Sequence, residues 1–325
     1  MADESNFSID YNKLANDCGL IDGTNAKVCL EKVSALKEQY SNDELAIIYN
    51  YFFEIAPTKE LIIGVLSLID KLRNPESISV LIDALVIKDK FKSRINNDED
   101  ITQIRVNITR ALANSKNSKA VNPLLYCLNN KDENYKIKLS CADALGKIGD
   151  KYAVMPLVNL LEDEEESSVY VKESAVSALG MIGDEKAIDS LVSILETTKG
   201  FMSKFTFLKE RALEALNKIN HKGDAKVMQA VRHSLADESP QVRINAIEVL
   251  MNSDEPEAEE LIKLMLRDNN REVVKNAVIA LYNLNDEDIL HEIINSPASS
   301  DYAKTEAEEL LMELEEDNEG EEDDK

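Results

Sequence analysis

Tryptophan is absent, and only 10 glycines and 7 prolines punctuate the 325 residues. With 44% hydrophobic residues, that scarcity reads as a folded and mainly helical chain. Cations are scarce as well: 37 Lys and Arg face 62 Asp and Glu, a formal net charge of -25. Residues 301–325 hold 13 acids and 2 bases, so this tail carries -11 and the body still carries -14. Such a surface repels nucleic-acid phosphate and anionic lipid, and neither is expected as a partner. The four cysteines, Cys18, Cys29, Cys127 and Cys141, form no Cys-x-x-Cys pair, so neither a zinc site nor a redox motif is indicated. No apolar run reaches the roughly 18 residues of a membrane-spanning helix. The start, Met-Ala-Asp-Glu-Ser, has no basic region or apolar stretch, so no signal peptide is expected and a cytoplasmic protein is the simplest reading. Glycine-rich phosphate loops and a Gly-x-Ser-x-Gly elbow are missing too, and no cofactor is expected.

What the sequence does have is a repeat. Val171 to Asp184 echoes Ile137 to Asp150, and both close on Ala-Leu-Gly-x-Ile-Gly-Asp. Aligned on the Leu of Ala-Leu, equivalent positions are Ile69, Leu112, Leu145, Leu179, Leu216, Leu250 and Leu281, separated by 43, 33, 34, 37, 34 and 31 residues. A period in the low thirties implies stacked two-helix units. In the second helix of each unit, buried positions recur at spacings of three and four, which make one helix face. Small residues such as Ala175, Ala212, Ala246 and Ala277 allow close helix approach. Gly149 and Gly183 stand where that helix must stop, and Asp150 and Asp184 follow as caps for the next one.

These residues resemble the HEAT family, in particular its short phycobilisome-lyase-like form. The matching features are the Ala-Leu-Gly-x-Ile-Gly-Asp block, the Asp237-to-Arg243 link, and Pro123 and Pro156 in first helices. The likeness spans about residues 100–285. It implies an all-α superhelix, or α-solenoid, of about eight stacked antiparallel helix pairs, a right-handed stack with the second helices lining its concave face. It also implies an Asp-to-base ladder, Asp132 with Lys138 and Asp237 with Arg243, broken where Val274 replaces the basic residue.

The pairs are expected at roughly 43–72, 76–114, 118–149, 152–183, 186–220, 224–253, 256–284 and 286–314, a solenoid over 43–314. Residues 1–42, with one helix near 24–40, form an N-terminal capping segment, because solenoid ends need atypical caps. Residues 315–325 form an acidic tail with too few apolar residues to fold alone, expected to be disordered.

Two surfaces are candidates for contact with a partner. One is the solvent edge of the second helices: Arg110/Asn114, Asp143/Lys147, Ser177/Met181, Glu214/Lys218, Glu248/Asn252 and Ile279/Asn283. Val106, Leu139 and Ile244 lie one turn earlier and, with Met181, suggest an apolar groove. The other is a pair of long links joining first to second helices: Lys88 to Arg94, with Lys90, Phe91, Lys92 and Arg94, and Lys199 to Phe207, with Phe201 and Lys204. Basic and aromatic residues on an otherwise acidic edge suit a protein partner with an acidic or extended segment. The competing reading is that the aromatics close over the core.

Enzymes of the same architecture fit poorly. Deoxyhypusine-type hydroxylases need several His-Glu dipeptides for two irons, and this chain has only His291-Glu292, with His221 and His233 elsewhere. HEAT-like base-excision glycosylases need a basic, aromatic cleft, which this composition opposes. The expected function is therefore a non-catalytic scaffold or adaptor that binds another protein. The alternative, implied by the resemblance alone, is a subunit of a bilin lyase or isomerase acting on antenna-protein chromophores.

Overall fold

A computed structural model describes residues 9–23, 25–163, 168–197, 205–219 and 224–323, with side chains to residue 314. The chain divides into two compact units, residues 1–178 and 179–325. The first holds α1 (Tyr11–Asp17), α2 (Ala26–Ala35), α3 (Asn42–Ile55), α4 (Lys59–Leu72), α5 (Ile78–Val86), α6 (Asp98–Ser115), α7 (Val121–Asn129), α8 (Tyr135–Ile148) and α9 (Val154–Glu162). The division falls inside α10 (Val169–Ile182). The second unit continues with α11 (Ile188–Glu196), α12 (Thr206–Lys218), α13 (Ala225–Ser234), α14 (Pro240–Met251), α15 (Ala258–Met265), α16 (Arg271–Asn285), α17 (Asp288–Asn295) and α18 (Asp301–Asp323). No strand occurs among the described residues.

Local chemistry sets the helix ends. Ser41 and Glu44 form a reciprocal capping box at α3. Asn117, Asp150 and Asp184 accept from the backbone N–H two residues on, each opening a short 3-10 turn that leads into a first helix. Gly149 and Gly183 end their helices at φ of 76° and 72°. Arg73 and Lys116 take the same left-handed position without being glycine, at φ of 51° and 49°, which is why the sequence signature fades in those repeats.

Within each unit, helices pair and pairs stack. In the first, α3 packs on α4, α5 on α6 and α7 on α8, while the second helices α2, α4, α6 and α8 lie side by side. In the second, α11 to α18 pair in order, and α12, α14, α16 and α18 form the second-helix row. The expected buried alanines Ala175, Ala212, Ala246 and Ala277 are fully buried. The fold is an all-α solenoid of antiparallel pairs.

Three sequence expectations change. The first 42 residues hold two helices instead of one, and because α1 packs on α3 and α2 on α4, they repeat the pair arrangement in miniature. The backbone of residues 315–323 continues α18 as helix, where the sequence reading places a disordered tail; its run of Glu suits a helix intrinsically. The ladder also runs differently. Arg105 donates to the Leu85 carbonyl and, two-pronged, to Glu133 of the following link at 2.8 Å. Arg243 donates to the carbonyls of Asp237 and Glu238 and, also two-pronged, to Asp268 at 2.8 Å. Asp237 itself receives Lys209 at 2.7 Å. Each of these bases thus ties one repeat to the next, where the resemblance implied pairs inside one repeat. Val274, at the break, is buried.

Candidate functional site

The link after α5 is a series of turns that folds back on the end of α3. Phe91 is 0% exposed and meets Phe53 edge-on, with ring centroids 5.9 Å apart. Arg94 donates to the carbonyl oxygens of Ala56 at 2.6 Å and Phe53 at 3.4 Å. It thereby serves the last carbonyls of α3, which no intrahelical N–H can reach. Lys90 pairs with Glu54 at 2.7 Å, and Lys92 with Asp89 at 2.7 Å. The expectation of a partner-contacting Phe91 is therefore corrected: the ring closes over the core. The expected basic island is likewise matched by its own acids and carbonyls. Phe201 and Lys204, the other half of that proposal, lie outside the described residues. Phe205 and Phe207 pack edge-on at 5.5 Å at the start of α12.

The solvent edge of the second helices is where the sequence placed it. Arg110, Asp143, Lys147, Met181, Lys218, Glu248, Asn252, Ile279 and Asn283 are exposed. Asp143 and Lys147 pair at 2.7 Å along their helix, as their spacing implies. Glu214 takes Arg211 at 2.7 Å. The residues one turn earlier do not stand free. Val106 and Leu139 are half-buried and Ile244 is 6% exposed, because adjacent second helices pack directly and these side chains fill the seams. The second unit keeps a mixed apolar and acidic edge, with Met181 39% and Ile279 37% exposed. On that edge the Glu248 carboxyl is raised above its ordinary value by burial, and further by the like charge of Glu214. Asn252 donates to the Asn217 side chain at 2.9 Å, so amides of neighbouring helices are linked there.

Grooves that the sequence does not announce also occur among the described residues. Between α2 and α4 lies an open groove of about 690 Å³, lined by residues 27–34 and 64–71. Between α7 and the segment leading into α9 lies another of about 650 Å³, flanked by Tyr126 and Tyr152. These tyrosines are 60% and 64% exposed. The signal for the first groove was the repeat itself: once α2 is recognised as a second helix, its seam with α4 follows. The tyrosine groove left no periodic trace.

All four cysteines are free and buried, Cys141 completely. Burial pushes the Cys141 thiol well up. Among the described residues no group of three or more His, Cys, Asp or Glu is arranged to hold a metal ion, and no helix is long and apolar enough to cross a membrane.

Comparison with known proteins bears on the repeats. A model of HEAT repeats matches residues 89–169, 130–202, 203–282 and 228–312. Curated protein sequences give no match. Among solved structures, Kap95p in a complex with RanGDP is 15% identical over 92% of this chain and 47% of its own, with a TM-score of 0.55. Kap121p bound to the extreme C-terminus of the phosphatase Cdc14p is 13% identical over 94% and 38%, with a TM-score of 0.52. The CpcE–CpcF phycocyanin lyase complex of a Nostoc species is 21% identical over 73% and 94%, with a TM-score of 0.44. The chain thus spans less than half of either karyopherin, and the similarity to them is one of fold.

Proposed function

The chain belongs to the HEAT-repeat family, and from that premise we propose that it is a non-catalytic scaffold that holds another protein. The observation that carries this reading is the division of labour along the second helices. The buried arginines Arg105 and Arg243 are engaged between one repeat and the next, while the outer edge, including Met181, Glu248 and Ile279, is left to solvent. A rigid row of helices with an exposed, chemically mixed edge is a surface suited to extended protein contact. HEAT proteins of similar fold include karyopherins solved with protein partners, which supports the same use here. The proposed setting is the cytosol, where four unpaired buried thiols stay reduced.

The test is affinity capture of the full-length chain from its source cells, with Met181→Asp/Ile279→Asp compared against the unaltered protein. A stoichiometric protein partner, lost or strongly weakened in the double variant, is expected. Purified protein that carries a visible-absorbing tetrapyrrole, and retains no protein, would overturn the scaffold reading.

A further inference from the structure

We propose that the groove between α2 and α4 docks an acidic, leucine-bearing helix of a partner protein. The proposal rests on the scaffold reading and names a surface and a partner chemistry for it. On α2 the groove is lined at positions 27, 30, 31 and 34, and on α4 at 64, 67, 68 and 71. Both sets follow the i, i+3, i+4, i+7 spacing of one helix face, so the groove runs along two turns, about 10 Å. Leu30 and Leu68, each half-buried, supply an apolar floor. Gly64 sets the close approach: a Cβ there would overlap the Leu30 methyl groups, so the Leu30 side chain of α2 lies directly on the α4 backbone. A seam between two helices with an apolar floor accepts the side chains of a third helix laid along it.

Charge selects the occupant. The chain as a whole is at -25, and a basic partner would suit most of its surface. This end is different. α2, α4 and the Arg73 that ends α4 carry five cations, Lys27, Lys32, Lys59, Lys71 and Arg73, against three carboxylates, Glu31, Glu60 and Asp70. Lys59 is engaged by Asp100 and Lys32 by the Asp17 carbonyl. Lys27 and Lys71 line the groove, are exposed, and have no ion pair among the described residues; exposed Arg73 has none either. Glu31 is the one carboxylate in the lining. The cations that the sequence offered to an acidic partner, Lys90, Lys92 and Arg94, are already engaged, and other exposed cations of this unit, such as Lys116 and Lys119, line neither groove, whereas Lys27 and Lys71 flank this one. An acidic helix is repelled by the rest of the surface and steered to this groove, which gives register as well as attraction. Leucines at helical spacing would fill the floor between Leu30 and Leu68.

The probe is a labelled synthetic helix of about 20 residues. It carries Leu along one face and Glu elsewhere, and a counterpart has every Glu replaced by Lys. Each is titrated against the full chain by fluorescence anisotropy at low salt. The acidic peptide should bind and the lysine counterpart should not. The K27E/K71E variant should lose roughly tenfold or more for the acidic peptide and gain for its counterpart. Leu68→Asp should weaken the acidic peptide as well, because the floor is removed. Circular dichroism establishes that the surface variants keep their helix. Equal binding of the two peptides, or an affinity unchanged in K27E/K71E, overturns the proposal. So does concentration-dependent self-association that K27E/K71E abolishes, because the occupant would then be a second copy. A negative result here leaves the Met181/Ile279 capture experiment intact, so failure of the groove and failure of the scaffold reading are told apart.

Discussion

Arg105 and Glu133 show what single residues do in this chain. Their side chains are 5% and 3% exposed, and the two-pronged bond between them joins one repeat to the next. Burial pushes the Glu133 carboxyl up, but the Arg105 hydrogen bonds and charge outweigh it and the net shift is downward. A carboxyl depressed by folding contributes stability that is fully present above its ordinary value, near 4.5, and is lost as pH falls through the lower folded value. Glu133→Gln leaves the guanidinium buried without its counter-charge, which should cost about 3–5 kcal/mol. Thermal melts from neutral to acid pH check both points. The gap between native and variant should narrow below the ordinary glutamate range, and a gap that stayed constant would refute the assignment. Among the ladder bases, the sequence pointed to Lys138 and Arg243 and not to Arg105. Its acid could not be read, because the partner sits in the following link and the distance that matters is across a seam. Phe91 misled for a similar reason: a Phe between lysines looks exposed in a linear reading, and only the fold-back onto Phe53 buries it.

At the scale of elements, Gly180 tests how tightly neighbouring second helices fit. It is not at a turn. A Cβ built on it would lie 2.7 Å from the Ala215 Cα in α12, and backbone cannot yield as a side-chain tip can. Gly180→Ala should therefore force α10 and α12 apart and destabilise by about 1–3 kcal/mol, the usual range for overpacking. Hydrogen exchange should quicken in α12 and its immediate neighbours and leave α16 to α18 unchanged, since each repeat touches only the next. Equal loosening of every helix would contradict that local picture. Nearly all helices are legible in the sequence, because cap residues and the three-four spacing are local signals. α1 is not, because its seven residues are too short to show a period.

For the whole molecule, the acidic end is the feature with most charge and least visible purpose. Residues 315–325 hold eight acids and one base. Their deletion should leave the melting temperature within a few degrees, because removing like charge from a -25 chain relieves self-repulsion and no apolar cluster is lost. Calorimetry of the truncated chain checks this, and a large fall would mean that the segment docks on the repeats.

The repeat period, the helix pairs, the buried alanines and the acid excess were determined by the sequence alone, because each depends on residues close together in the chain. Which residues remain free to act was decided only by the tertiary structure. Lys90, Lys92 and Arg94 are engaged by groups 3 to 41 positions away, and Ile244 fills a seam between neighbouring helices. Lys27 and Lys71, unremarkable in the sequence, flank an open groove. The physical reason is one of range: helix formation reads neighbours three and four apart, whereas the availability of a charge or an apolar side chain depends on every element packed around it.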